Sequence, residues 1–131
     1  MIAKLVEHSG AESMEIDVEQ DPTTSKVKGV LYFYDGSRLE FTETVTIERY
    51  RPVKLLYTYQ YIRGGEAVLR YDNAPHHPDL PTFPHHKHVG KERLPATEPT
   101  LSQVLTEVAT LREEDPTGTP RGPGRRRRTK R

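Results

Sequence analysis

The first half of the chain alternates with period two. In KVKGVLYFYDGSRLEFTETVTIERY, Val27, Gly29, Leu31 and Phe33 share one face, and Lys28, Val30, Tyr32 and Tyr34 share the other. That is the pattern of a strand buried on one side. Asp35-Gly36 interrupts the run and predicts a two-residue hairpin, because both residue types accept positive φ. The return strand, roughly Arg38 to Ile47, gathers Leu39, Phe41, Val45 and Ile47 on a shared face, with a bulge near Glu43 or Thr44. Arg51-Pro52 marks a break. A second hairpin follows. Val53 to Ile62, VKLLYTYQYI, puts Tyr57, Tyr59 and Tyr61 on one side and Leu56 and Ile62 on the other; Gly64-Gly65 turns, and Glu66 to Asp72 returns. An earlier strand at Ser13–Glu19 alternates Met14, Ile16 and Val18, and Ala3–Glu7 is a candidate edge.

The pattern then changes. Asn73 to Pro99 holds six prolines and five of the six histidines. Proline fixes φ and removes a donor, so most of this stretch is expected to be irregular. A long ordered loop in a compact domain is usually functional. Beyond it, Thr100-Leu-Ser-Gln103 fits a capping box, in which hydroxyl and amide each satisfy a backbone N–H. Leu101, Val104, Leu105, Val108 and Leu111 form one apolar stripe at helical spacing. The expected fold is α+β: an antiparallel sheet of about five strands, one C-terminal helix packed on it, and a His/Pro-rich loop between sheet and helix.

Composition divides the chain in two. The segment 116–131, PTGTPRGPGRRRRTKR, has seven basic residues, no acidic residue and no large apolar side chain. Such a segment cannot bury enough surface to offset the entropy of ordering it. A disordered basic tail is therefore expected at 116–131 and a single domain at 1–115. The domain carries 13 Lys/Arg against 19 Asp/Glu, so an acidic body joins a basic tail. The tail suits sequence-blind contact with phosphates; a solubilising terminus is the bland reading. There is no cysteine, which excludes disulfides and thiolate chemistry. No apolar run approaches a membrane span, and the first residues lack the apolar core of a signal peptide. A cytoplasmic protein with no membrane partner is expected.

The candidate site is the stretch from Arg70 to His88, RYDNAPHHPDLPTFPHHKH. Imidazole both gives and takes protons near neutral pH. RNA cleavage without a metal or other cofactor needs a base for the 2′-hydroxyl, an acid for the departing oxygen and a cation for the phosphate. His86 and His88 point the same way in an extended segment, with Lys87 opposite, and are the candidate acid and base; His77 is the substitute. Arg70 and Lys87 are the candidate phosphate ligands, with Arg63 as a further cation. Asp72 and Asn73 are placed to orient a histidine, and His76 and His85 complete the binding set. Tyr57 and Tyr59 belong to an aromatic stripe that either packs in the core or stacks bases. A second reading is a metal site, in which His86 and His88, or His76 and His77 with Asp72, supply the ligands; the spacing matches no established zinc signature. A third is a solvated loop that happens to be rich in histidine and proline.

The runs YTYQY (57–61), LRYDNAPHH (69–77) and HHKH (85–88) resemble the TumE-type proteins, small prokaryotic toxins of type II toxin–antitoxin modules. The resemblance extends roughly from Val27 to Val108. It implies a toxin restrained by a cognate antitoxin encoded beside it, with RNA as the plausible target. The expected partners are that antitoxin, RNA and a second copy of the chain as a homodimer. A non-catalytic RNA-binding or regulatory protein, or a metal-dependent hydrolase using the histidines, stands as the alternative. Deleting residues 121–131 is expected to weaken RNA affinity and to flatten its salt dependence, because up to seven phosphate contacts disappear. An unchanged slope of log K against log salt would leave the tail as a mere terminus.

Overall fold

A computed structural model describes residues 9–75 and 78–114. The backbone forms β1 (Ala11–Gln20), β2 (Thr24–Phe33), β3 (Arg38–Glu48), β4 (Arg51–Arg63), β5 (Glu66–Asp72), β6 (His86–Val89), β7 (Glu92–Pro95) and α1 (Leu101–Glu114). Among the described residues all strands belong to one antiparallel sheet whose spatial order is the chain order. The sheet has seven strands rather than about five. The two extra strands, HKHV and ERLP, lie inside the stretch expected to be irregular. Each is four residues long, too short to show an alternating pattern. A turn at Gly90-Lys91 joins them, with Gly90 at φ 58°. The candidate edge at Ala3–Glu7 and the tail lie outside the described residues. Among the described residues no helix is long and apolar enough to cross a membrane.

The odd-numbered positions of β2, β3 and β4 make the core. Leu31, Phe33, Leu39, Phe41, Tyr57, Tyr59 and Tyr61 are buried, joined by Leu69 of β5 and by Leu101, Val104, Leu105 and Val108 of α1. Burying a side chain of this size contributes roughly 1.5–3 kcal/mol. The start of α1 is set by the reciprocal cap expected from the sequence. Gln103 N donates to Thr100 Oγ1 at 3.0 Å, and Thr100 N donates to Gln103 Oε1 at 2.9 Å. Its far end is held by Arg63, whose Nη2 donates to the Leu111 carbonyl at 3.0 Å. The cation there complements the helix terminus.

Turns and bulges differ in detail from the sequence pattern. The β2–β3 connection is wider than two residues. Gly36 alone takes positive φ, and Asp35 Oδ1 accepts from Ser37 N and Ser37 Oγ instead. The β3–β4 turn sits at Arg49 and Tyr50, both with positive φ (51° and 67°), and Pro52 is inside β4 opposite Ile47. The Gly64-Gly65 turn forms as expected, with both residues at positive φ. The bulge opposite Thr44 and Val45 is carried by β4, where Leu55 is the extra residue. That extra residue brings Lys54 into register with Val45, on the helix-covered face. There its Nζ donates to the Tyr59 hydroxyl at 2.6 Å and to the Pro99 carbonyl at 2.7 Å, and burial lowers its pKa from the ordinary lysine value.

Gly29 faces Phe41 across the strand pair, and the Phe41 ring lies over its backbone. A Cβ at position 29 would stand 2.6 Å from ring atoms Cε1 and Cζ. The ring itself stacks on Tyr59, so it cannot retreat freely. Gly29→Ala is expected to cost about 1–3 kcal/mol, as overpacking does. The measurement is the urea midpoint at unchanged slope; a wild-type midpoint would show that the ring has room to move.

Candidate functional site

The pairing of β5 with β6 builds the site. Asp72 is opposite His86 and Arg70 is opposite His88. Cross-strand partners share a face, so these four side chains lie together. Their face is the one α1 does not cover. His86 is 2% exposed. Its Nδ1 donates to the Pro84 carbonyl at 2.9 Å, and its Nε2 lies 2.9 Å from Asp72 Oδ1. A carbonyl can only accept, so Nδ1 carries the hydrogen. The His88 ring meets the His86 ring edge to face, with centroids 5.0 Å apart, and is half-buried.

Asp72 is the hub of the cluster and is 3% exposed. A buried carboxylate is costly unless it is paired and hydrogen-bonded. Here Oδ2 accepts from Arg70 Nε at 2.8 Å, and Oδ1 accepts from Ala74 N at 3.0 Å. Arg70 is held in turn by Gln60, Nη1 to Oε1 at 3.3 Å. Beside Arg70 the same face forms an open groove of roughly 410 Å³, lined by Lys28, Glu40, Thr42, Thr58 and Gln60 among others. The groove residues carried no signal in the sequence beyond their even-numbered positions. Strand order brings them together on one face, and Arg70 alone among them stands opposite a histidine.

Other residues expected at the site lie elsewhere. Lys87 sits between His86 and His88, so its side chain is on the helix-covered face. There Nζ pairs with Glu107 at 2.8 Å and lies 5.2 Å from the Tyr71 ring centroid. Burial opposes its charge, but Glu107 and the Tyr71 hydroxyl outweigh that and raise its pKa. Tyr57 and Tyr59 are buried in the core, where no base can reach a ring face to stack. Burial pushes both hydroxyls above the ordinary tyrosine value, and Glu43 adds to this at Tyr59 by accepting its hydrogen bond. His85 stacks on Tyr57, with its Nδ1 2.9 Å from the Tyr57 hydroxyl. Arg63 is buried under α1, where it holds the Leu111 carbonyl, and is not beside the histidines. Asn73, expected to orient a histidine, instead bridges the β4 bulge, accepting from Tyr57 N at 3.0 Å and donating to the Leu55 carbonyl at 2.9 Å. His76 and His77 lie outside the described residues.

Two outcomes separate packing roles from chemical ones. Asn73→Ala strands the buried Tyr57 N–H and removes the bond to the Leu55 carbonyl, and is expected to destabilise the fold by about 1–3 kcal/mol in urea melts. A wild-type midpoint would show that these two bonds do not hold the bulge. Lys87→Gln is expected to cost no more than about 1 kcal/mol, and the cost should largely vanish when Glu107→Gln is already present. Because the Lys87 pKa is raised on folding, its contribution is fully present at neutral pH and is lost only as pH rises through the lysine range. An equal cost in both backgrounds would show that the pair does not carry it.

A family model described as Toxin TumE matches residues 2–112. No curated protein and no solved structure matches the chain. The match spans the sheet, the Asp72–His86–His88 cluster and nearly all of α1, and the chain belongs to the TumE toxin family.

Proposed function

We propose that this protein is the toxin of a toxin–antitoxin pair and that it cleaves RNA on the open face of its sheet. The observation that carries the reading is the β5–β6 pairing, which collects Asp72, His86, His88 and Arg70 on the face left bare by α1. A groove on a sheet face that carries Lys28 and Arg70 suits an extended, negatively charged substrate. Family membership supports the toxin role and an antitoxin partner. We place the reacting phosphate against His88 and Arg70, the members of the cluster that reach solvent. His86 is 2% exposed and sits behind His88, so its role is to hold the cluster rather than to meet RNA.

Purified protein incubated with RNA is the direct test. Cleavage is expected, with His88→Ala lowering the rate by about 10²–10⁴-fold, the usual range for a group that handles protons in the transition state. Arg70→Gln is expected to weaken substrate binding as well as turnover. In cells, expression should arrest growth, and co-expression of the product of the neighbouring reading frame should restore it. RNA that is bound but left intact in every buffer would sink the nuclease and favour a non-catalytic RNA-binding toxin. Full activity in His88→Ala would move the chemistry away from this face.

A further inference from the structure

We propose that Asp72, His86 and His88 bind one divalent transition-metal ion of the zinc class. The three residues each offer a ligand atom, and these atoms lie within 4.8 Å of one another. Two imidazole nitrogens and one carboxylate are a donor set that such ions take. One pair already stands at chelating distance. His86 Nε2 and Asp72 Oδ1 are 2.9 Å apart. Two ligands held by zinc at bond lengths of about 2.0–2.1 Å are themselves about 2.9–3.4 Å apart for right-angled to tetrahedral geometry.

The surroundings of the three residues point the same way. Ligating histidines commonly donate their other ring N–H to a backbone carbonyl, and ligating carboxylates are commonly held by a second partner. His86 does the first, to the Pro84 carbonyl. Asp72 does the second, with Arg70 on Oδ2 and Ala74 N on Oδ1. The His86 Nε2 that faces away from Pro84 lies 2.9 Å from Asp72 Oδ1, so an ion bound between the two rings and the carboxylate would meet both atoms. His88 is half-buried, so the third ligand lies at the mouth of the cluster and leaves the ion a side open to solvent. Three protein ligands with an open position is the form of catalytic rather than structural zinc sites. The open side adjoins Arg70, where the phosphate was placed above. The ion's use in cleavage rests on the proposed function; its binding does not. With the ion bound, His88 would act as its ligand, in place of the proton-handling role that metal-independent cleavage gives it.

The experiment uses the full chain, dialysed against chelator and then titrated with Zn²⁺ by equilibrium dialysis, and with Co²⁺ by visible absorption. The wild type is expected to take up one ion per chain and to give the absorption of cobalt in a low-symmetry nitrogen–oxygen site. Asp72→Asn and His88→Gln should each weaken binding by at least about tenfold. His85→Ala, whose imidazole stacks on Tyr57, should bind as the wild type does. Circular dichroism shows that the variants remain folded, and His88→Gln, at a half-buried position, guards against a variant that does not. No uptake by the folded wild type overturns the proposal, as does uptake that is equal in wild type, Asp72→Asn and His88→Gln. A chain that binds the ion here but leaves RNA intact keeps the metal site and overturns the nuclease. RNA cleavage in excess EDTA by a chain that binds no ion keeps the nuclease and overturns the metal site.

Discussion

The packing of α1 against the odd-numbered face of β2 to β5 is the contact on which the rest of the molecule depends. Leu101, Val104, Leu105 and Val108 meet a surface of Leu31, Phe33, Leu39, Phe41, Tyr57, Tyr59, Tyr61 and Leu69. Because side chains alternate along a strand, fixing which face lies under the helix also fixes which residues face away from it. Every group of the candidate cluster is on that other face. The helix thus decides where chemistry can happen without touching it.

Alternation also explains why neighbours in sequence part company in space. His86, Lys87 and His88 are consecutive, yet Lys87 pairs with Glu107 beneath the helix while the two imidazoles meet Asp72 and Arg70. The bulge in β4 works on the same principle. The bulge at Leu55 changes which side Lys54 takes and delivers its ammonium to the start of α1, at the Pro99 carbonyl. At the other end of β4, Arg63 keeps the parity of Tyr57, Tyr59 and Tyr61 and reaches the far end of the helix. One strand thus supplies cations to both ends of the element above it, one through a bulge and the other through plain alternation.

The site itself is held by electrostatic necessity. Asp72 is almost wholly buried, and a carboxylate in that position requires partners on both oxygens. It has them in Arg70 on Oδ2 and Ala74 N on Oδ1, with His86 Nε2 beside Oδ1. The proline-rich connection matters here because Pro84 offers a carbonyl that fixes the His86 ring from behind. A stretch that looks unstructured by composition acts as the back wall of the cluster.

Much of this was legible in the chain. The four long strands after the first turn, the Gly64-Gly65 turn, the capping box at Thr100 and Gln103 and the apolar stripe of α1 all follow from local patterns. Each is decided by contacts within a few residues or by a periodicity that a single strand or helix displays. Asp72, His86 and His88 also stood out as candidates, in a density of titratable groups with a family resemblance. Tertiary structure alone decided the rest. It made strands of HKHV and ERLP, which are too short to declare themselves, because the free edge of β5 supplied a partner. It sent Tyr57 and Tyr59 into the core, since an aromatic stripe looks the same whether it meets a helix or a base. It also chose Arg70 over Lys87 and Arg63 as the cation beside the histidines, because strand register, which no local pattern specifies, sets who stands opposite whom.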